Sequence, residues 1–175
     1  MAGRTPQEAL DSLVHPLQRA LSCVCDGVLL TNGVRNPSEL HMLRLARSPQ
    51  RLRSVESLAI AFVCDYQIVE TSEPGDRWHV RGLSYRCELH GAEHEILAYH
   101  WHPLARGEVA FPHLHLSAGA RVAHARLTSA HLPTGLVHLE DVVRFVVDAF
   151  DVQPVRPDWD EVLTTSKAAS LAAWL

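Results

Sequence analysis

From about residue 57, apolar side chains recur at every second position, and this pattern constrains the fold most strongly. The first run covers six alternating positions: Leu58, Ile60, Phe62, Cys64, Tyr66 and Ile68. Successive side chains of a strand point to opposite faces, so this alternation predicts a strand with one buried face. Further strands are expected over 78–90, 94–102 and 113–117, and a fifth within 121–132, with turns at 73–76 and 91–93. The sequence therefore predicts an antiparallel meander.

The segments on either side of this region have helical periodicity. Residues 7–25 carry apolar side chains at helical spacing. The Asn-Pro-Ser-Glu segment at 36–39 places suitable residues at the N-cap, N1 and N3 positions of a second helix, expected to end near residue 47. Residues 139–150 form another apolar helical face, and a last helix of about fifteen residues is expected after Asp158.

Helices, strands and helices in this order predict an α+β protein. We expect an antiparallel four- to five-stranded meander flanked by N-terminal and C-terminal helices. A single domain over 1–175 would comprise a helical N-terminal segment (residues 1–56), the sheet (57–132) and C-terminal helices (136–175). The length of 175 residues suits one well-packed domain and leaves little room for a second.

Composition narrows the classes of function. The formal net charge is -4, so no overall basic field recruits nucleic acid. Neither a signal-peptide apolar core nor a run of ~20 apolar residues is present, which predicts a cytoplasmic protein without membrane association. The four cysteines form no Cys-x-x-Cys pair, and Cys64 and Cys87 are expected to be buried free thiols in a reducing compartment.

Two His-x-His steps mark the candidate site. His100 and His102 share one face of their predicted strand, as His113 and His115 do of theirs. If the two strands pair, the four imidazoles gather on one patch. A three-residue hairpin loop at 91–93 would set Ser84 opposite His100 and Arg86 opposite Ala98. The aromatic alternation of the same two strands puts Arg86, His100 and His102 on the polar face. If the next strand joins antiparallel, His113 and His115 can lie on that face as well.

Histidine can act as base and acid near neutral pH. On this basis we predict metal-independent RNA cleavage by His100, His102, His113 and His115, with Arg86 stabilising charge on the phosphoryl oxygens. One imidazole would take the proton of the 2′-hydroxyl and another would protonate the leaving 5′-oxygen. His131, in the following segment, could join them. This mechanism needs no cofactor.

Metal binding is the rival use of the same four histidines. Zinc, nickel or iron accepts imidazole ligands, and Glu88 or Glu108 could add a carboxylate. The glutamate that follows His-x-His in cupin-type sites is missing after both copies. The His-Glu-x-x-His motif, the Gly-rich phosphate loop and the Gly-x-Ser-x-Gly nucleophile elbow are missing as well. A third alternative is a non-catalytic binding module in a larger assembly, with the helical ends, including the apolar segment 172–175, as docking surfaces.

The middle and late chain, about residues 78–150, resembles the TumE-like family of His-rich bacterial toxins. The matching pieces are Tyr85-Arg86, Leu97-Ala98-Tyr99-His100, Pro112-His113-Leu114-His115 and Leu139-Glu140-Asp141-Val142-Val143. The chain departs from that pattern in its longer N-terminus, its added C-terminal helix and the His-Trp-His segment after Tyr99. The resemblance implies a toxin whose partner is a helix-turn-helix antitoxin, and it implies no reaction mechanism. The oligomeric state stays open.

Overall fold

The sheet is the largest element of the fold. A computed structural model describes residues 2–34, 36–71, 77–103 and 109–171, and within them nine strands form one antiparallel sheet. The strands are β1 (Ala2–Gly3), β2 (Leu29–Thr31), β3 (His41–Leu45), β4 (Gln50–Arg51), β5 (Ala59–Glu70), β6 (Trp78–His90), β7 (Glu95–Trp101), β8 (His113–Leu116) and β9 (Leu132–Pro133). Their order is β2-β3-β5-β6-β7-β8-β9, with β1 beside β6 and β4 beside β5.

Three helices pack against one another, and the first of them lies against the sheet. They are α1 (Pro6–Leu21), α2 (Leu139–Ala149) and α3 (Trp159–Ser170). Thr5 caps α1, because its hydroxyl accepts the backbone N–H of Glu8 at 3.1 Å. Leu13 and Leu17 of α1 are fully buried, and α1 contacts β5, β6 and both other helices. The predicted α+β class with helices at both ends is confirmed, although the sheet has more strands than the four to five expected.

The second helix predicted from residue 36 to about 47 is wrong. Asn36 and Glu39 form only a turn, in which the backbone N–H of Glu39 donates to the carbonyl of Asn36 at 3.0 Å. The chain then enters β3, which pairs with β5 through His41 opposite Tyr66. Burial in β3 alternates, with Leu43 buried and Met42 exposed. The described part of the N-terminal segment up to residue 56 therefore holds one helix and the four strands β1–β4 rather than helices alone.

The register predicted between β6 and β7 is also wrong, by two residues. Arg86 lies opposite His100, where the three-residue loop placed Ser84. Two changes of one residue each account for the difference. His90 pairs with Glu95 rather than His94, so the hairpin loop is one residue longer than predicted, and a register shift between Leu89 and His90 adds a further residue. Beyond the bulge the total shift is two residues, which leaves the side chains from Tyr85 to Leu89 and from Leu97 to Trp101 on their predicted faces. The polar face of the sheet is therefore as expected.

The other predicted strand boundaries agree with the structure only in part. The return strand of the first hairpin matches its predicted bounds of 78–90. The segment expected as a fifth strand, residues 121–132, is instead irregular apart from one short 3₁₀ turn (Ala125–Thr128), and the two-residue β9 begins only at its end. The turn predicted at 73–76 and the apolar end at 172–175 lie outside the described residues. Among the helices of the described ranges, none combines the length and the hydropathy that a membrane span requires.

All four cysteines are free and buried. Burial raises the pKa of each thiol, most strongly for Cys64 and Cys87 inside the sheet. Since the thiolate is the reactive form, we expect Ellman's reagent to modify none of them in the folded protein over minutes and all four in denaturant. Rapid reaction of one thiol in the folded protein would contradict this burial.

Glu140 of α2 is a buried carboxyl group, 1% exposed. Its Oε1 accepts the hydroxyl of Ser170 at 2.7 Å, and its Oε2 has no hydrogen-bond partner among the described residues. Burial raises the pKa of Glu140, and the Ser170 hydrogen bond only partly offsets this. In the unfolded chain the group titrates near ~4.3. The buried group therefore costs no stability below that pH, and the cost grows as pH rises through the folded-state pKa.

We expect Glu140→Gln to stabilise the protein at pH 7 by about 1 kcal/mol, which raises the melting temperature by about 2–4 °C. The amide keeps an acceptor for Ser170 without a charge. The difference in stability between Glu140→Gln and wild type should vanish below about pH 4. Thermal unfolding from pH 3 to 8 measures the difference, with the exposed Glu161→Gln on α3 as the control. A Glu140→Gln variant less stable than wild type at pH 7 would contradict the argument.

Candidate functional site

The structure brings the four predicted histidines together, because β7 and β8 are antiparallel neighbours. His100 lies directly opposite His113, and His115 lies opposite Ala98. His102 follows the end of β7 on the same face. β9 pairs with β8 on its other side, and the residue before β9 is His131. Five imidazoles thus meet at this end of the sheet, and we call them the imidazole cluster: His100, His102, His113, His115 and His131.

The rings of the imidazole cluster are in contact with one another. The ring centroids of His100 and His113 are 5.5 Å apart, and those of His102 and His113 are 5.3 Å apart. On the other side, the His115 ring lies 4.9 Å from His113 and 4.5 Å from His131. His113 therefore contacts the other members from the centre of the cluster.

The environment of His113 fixes the roles of its two ring nitrogens. The residue is 0% exposed. Its Nδ1 lies 2.8 Å from the carbonyl oxygen of Phe111, which can only accept, so Nδ1 carries the proton and donates. The lone pair is then on Nε2, which is buried and has no hydrogen-bond partner within the described ranges. Such a backbone hydrogen bond on one imidazole nitrogen is the usual support of a metal-ligating histidine.

Two overlapping triads have metal-ligand spacing. In each, one nitrogen per residue lies within 4.8 Å of the others. Two nitrogens bound tetrahedrally at about 2.1 Å from one ion are about 3.4 Å apart, so small side-chain rotations suffice. The first triad comprises His100, His102 and His113, and the second comprises His113, His115 and His131. His131 is exposed, and His100 Nε2 is a second buried nitrogen without a hydrogen bond to a described residue. Burial therefore favours the first triad.

Arg86 stands beside the cluster as the cross-strand partner of His100. Its Nε pairs with Glu88, and its Nη2 pairs with Glu95 Oε2 at 3.2 Å. The other carboxylate oxygen of Glu95 accepts the hydroxyl of Ser117 at 2.5 Å. Two carboxylates and one hydroxyl thus hold the guanidinium in position. Glu88, Glu95 and His90 also have metal-ligand spacing, but these ion pairs with Arg86 already account for both carboxylates.

Burial and neighbouring charges disfavour protonation of two cluster members, His100 and His115. Burial, together with His115, Arg86 and the neighbouring imidazoles, lowers the pKa of His100 to about 4. Burial and the nearby His131 lower the pKa of His115 as well. For Glu95, burial alone would raise the pKa, but the hydrogen bonds from Ser117 and Arg86 outweigh it and the net shift is downward. At neutral pH the site holds neutral His100 and His115 beside an ionised Glu95.

An open cavity of about 410 Å³ gives access to these groups. It is lined by Arg86, His100, His102, His115 and His131. This volume is within the range of small-molecule sites. Its lining combines lone-pair donors for a cation with one fixed guanidinium. The arrangement can hold a metal ion, and it leaves space for a ligand above it.

Sequence reasoning found most of this site. All five predicted residues, Arg86 among them, lie around the cavity or at the centre of the cluster, and His131 joins them as anticipated. The Phe111 carbonyl was missed, because any residue type supplies that group. Glu95 and Ser117 were missed because their contacts depend on the hairpin bulge. Glu108, considered as a carboxylate ligand, lies outside the described residues.

Comparisons with known proteins add no family to this picture. The chain matches no protein-family model, and neither curated proteins nor solved structures give a significant match. The resemblance to TumE-like toxins is therefore neither supported nor opposed by them, and the function must be argued from the site itself.

Proposed function

We propose that the protein is a metal-dependent hydrolase whose divalent transition metal ion is bound by His100, His102 and His113. The observation that carries the proposal is the buried Nε2 of His113, which has no hydrogen-bond partner among the described residues. A buried acceptor left unpaired costs about 1–3 kcal/mol. A metal ion at Nε2 would remove that cost, and the hydrogen bond from Nδ1 to Phe111 already orients the ring for it.

The ligand chemistry supports a transition metal. Neutral imidazole suits zinc, copper, iron and nickel, whereas magnesium and calcium prefer oxygen ligands. Three protein nitrogens leave a coordination position for water or substrate, as in catalytic zinc sites, while structural sites are closed by four protein ligands. The cavity beside the triad provides room for that open position.

A metal ion in this position would acidify a bound water and polarise a substrate oxygen, which is the chemistry of hydrolysis. The residues of the chain supply the surroundings. His100, His102 and His113 would hold the ion. His115, two positions after His113 on β8, lies on the same face of the sheet. Arg86 contributes a positive charge at the cavity edge.

A second candidate is toxin-like RNA cleavage without a metal, for which an antitoxin partner is implied by the TumE-like resemblance. The observation in its favour is the same cavity, which sets Arg86 beside His100, His102 and His115. One imidazole would act as the base, another as the acid, and Arg86 would stabilise the phosphoryl oxygens. The two candidates share their residues and differ in whether activity requires a metal.

The test starts with purified, untagged protein stripped by a chelator. Zinc and Co²⁺ are added back, the bound metal is counted by elemental analysis, and hydrolysis of a phosphodiester, a carboxylic ester and a short RNA is followed with and without metal. The proposal predicts one ion per chain and hydrolysis that needs it. His94→Ala, an exposed histidine on the β6–β7 hairpin, should behave as wild type.

The outcomes separate the candidates. RNA cleavage by metal-free protein, lost in His113→Ala, would overturn the metal-dependent proposal in favour of acid–base cleavage. Absence of both metal binding and hydrolysis would overturn both candidates and leave the non-catalytic binding module.

A further inference from the structure

We infer that Arg86 binds an oxyanion of the substrate, a phosphate or a carboxylate group, next to the metal ion. The inference rests on the proposed metal centre and assigns the substrate class of that same site. The inference is based on where Arg86 lies relative to the proposed metal ligands and the cavity. Arg86 is paired with His100 across β6 and β7, and it lines the cavity together with four members of the imidazole cluster.

The guanidinium of Arg86 is held in one orientation and still has donor capacity. Its Nε is paired with Glu88 and its Nη2 with Glu95. The third nitrogen, Nη1, makes no hydrogen bond to a residue of the described ranges, and half of the Arg86 side chain is exposed. A planar guanidinium matches the oxygens of phosphate and carboxylate groups. Because two nitrogens are already fixed, little side-chain freedom remains to be lost when an anion binds at the third.

The local charge makes this binding depend on the metal. One guanidinium against the two carboxylates of Glu88 and Glu95 leaves a formal charge of minus one. A divalent ion in the neighbouring triad changes this sum to plus one. The metal-free site therefore repels an anion, and the loaded site attracts it. A substrate with an oxyanion would be held by the ion on one side and by Arg86 on the other.

A purely structural role of Arg86 makes a different prediction. Cross-strand ion pairs such as those of Arg86 with Glu88 and Glu95 can simply stabilise a sheet. Removal of the guanidinium would then change stability and leave anion affinity unchanged. The two roles are separated by a binding measurement on the metal-loaded protein.

The experiment uses protein loaded with Co²⁺, whose visible absorption reports on its ligands. Inorganic phosphate and acetate are titrated separately into wild type, Arg86→Gln, Arg86→Lys and Arg81→Gln. Arg81 is exposed on the same strand and does not line the cavity. We expect saturable anion binding in wild type and Arg81→Gln, and binding weakened about 10-fold or more in Arg86→Gln. Arg86→Lys keeps the charge and should lie between them.

Each outcome decides a separate point. Tighter binding of phosphate than of acetate assigns a phosphoryl group, and the reverse order assigns a carboxylate. Equal anion affinity in Arg86→Gln and wild type, with Co²⁺ bound normally to both, overturns the role of Arg86 and leaves the metal centre standing. Failure of the wild-type protein to bind Co²⁺ overturns the metal centre, and with it the inference that rests on it.

Discussion

Replacing His113 by alanine is expected to lower the affinity for a divalent transition metal by about 100-fold or more. Losing a hydrogen-bonding partner of a metal ligand already costs about 10–100-fold, and His113→Ala removes a whole ligand. His113 is fully buried at the centre of the cluster and belongs to both triads.

The contrast with His131 makes this prediction specific. His131 is exposed and belongs only to the second triad. If the ion is bound by His100, His102 and His113, His131→Ala should weaken binding less than about 10-fold. Competition titration against a chromophoric chelator measures both affinities. An equal loss in the two variants would place the ion in the second triad.

A cavity at position 113 could also lower stability, so a second variant accompanies the first. His100→Ala removes a half-buried ring and should lose affinity to a similar degree with less effect on packing. Thermal unfolding of the metal-free proteins shows whether each variant is folded. A His100→Ala variant that is folded and binds zinc as wild type would contradict the assignment of the triad.

The features of the site that the sequence predicts follow from period-two alternation. Tyr85 and Cys87 are buried on one face of β6, and this settles that Arg86 lies on the other. Because side-chain direction repeats every two residues, the total shift of two, one residue from the longer loop and one from the bulge, moved the partner of Arg86 and not its face. The histidine cluster was therefore predictable without the correct register, whereas the contacts of Glu95 were not.

The features that were not predictable depend on distant chain segments or on backbone atoms. The capping signature at residues 36–39 is a local signal, and it competes with the unpaired edge of β5, which lies about twenty residues later. Pairing of β3 with that edge satisfies backbone hydrogen-bonding groups and buries Leu43. Neither of these two contributions can be read from a local sequence pattern. The Phe111 carbonyl that orients His113 has no residue-type signal at all.

The strand assignment of residues 41–45 gives the second large expected effect. Leu45 is 0% exposed and Leu40 is 60% exposed. We expect Leu45→Ala to lower the free energy of unfolding by about 2–5 kcal/mol, since a leucine removed from a core loses its burial and leaves a cavity. For a chain of this length the melting temperature should fall by about 5–15 °C. Leu40→Ala should change stability by no more than about 0.5 kcal/mol.

This pair of variants separates the strand from the helix that the capping signature predicts. In a helix over 36–47, Leu40 and Leu43 would share the apolar face at a spacing of three, and Leu45 would lie away from it. A helix would therefore make Leu40→Ala costly and Leu45→Ala cheap, opposite to the strand. Urea unfolding of both variants measures the order of the two losses. Because β3 lies between β2 and β5, the strand also requires that Leu45→Ala loosen β2, which hydrogen exchange of the β2 amides would detect.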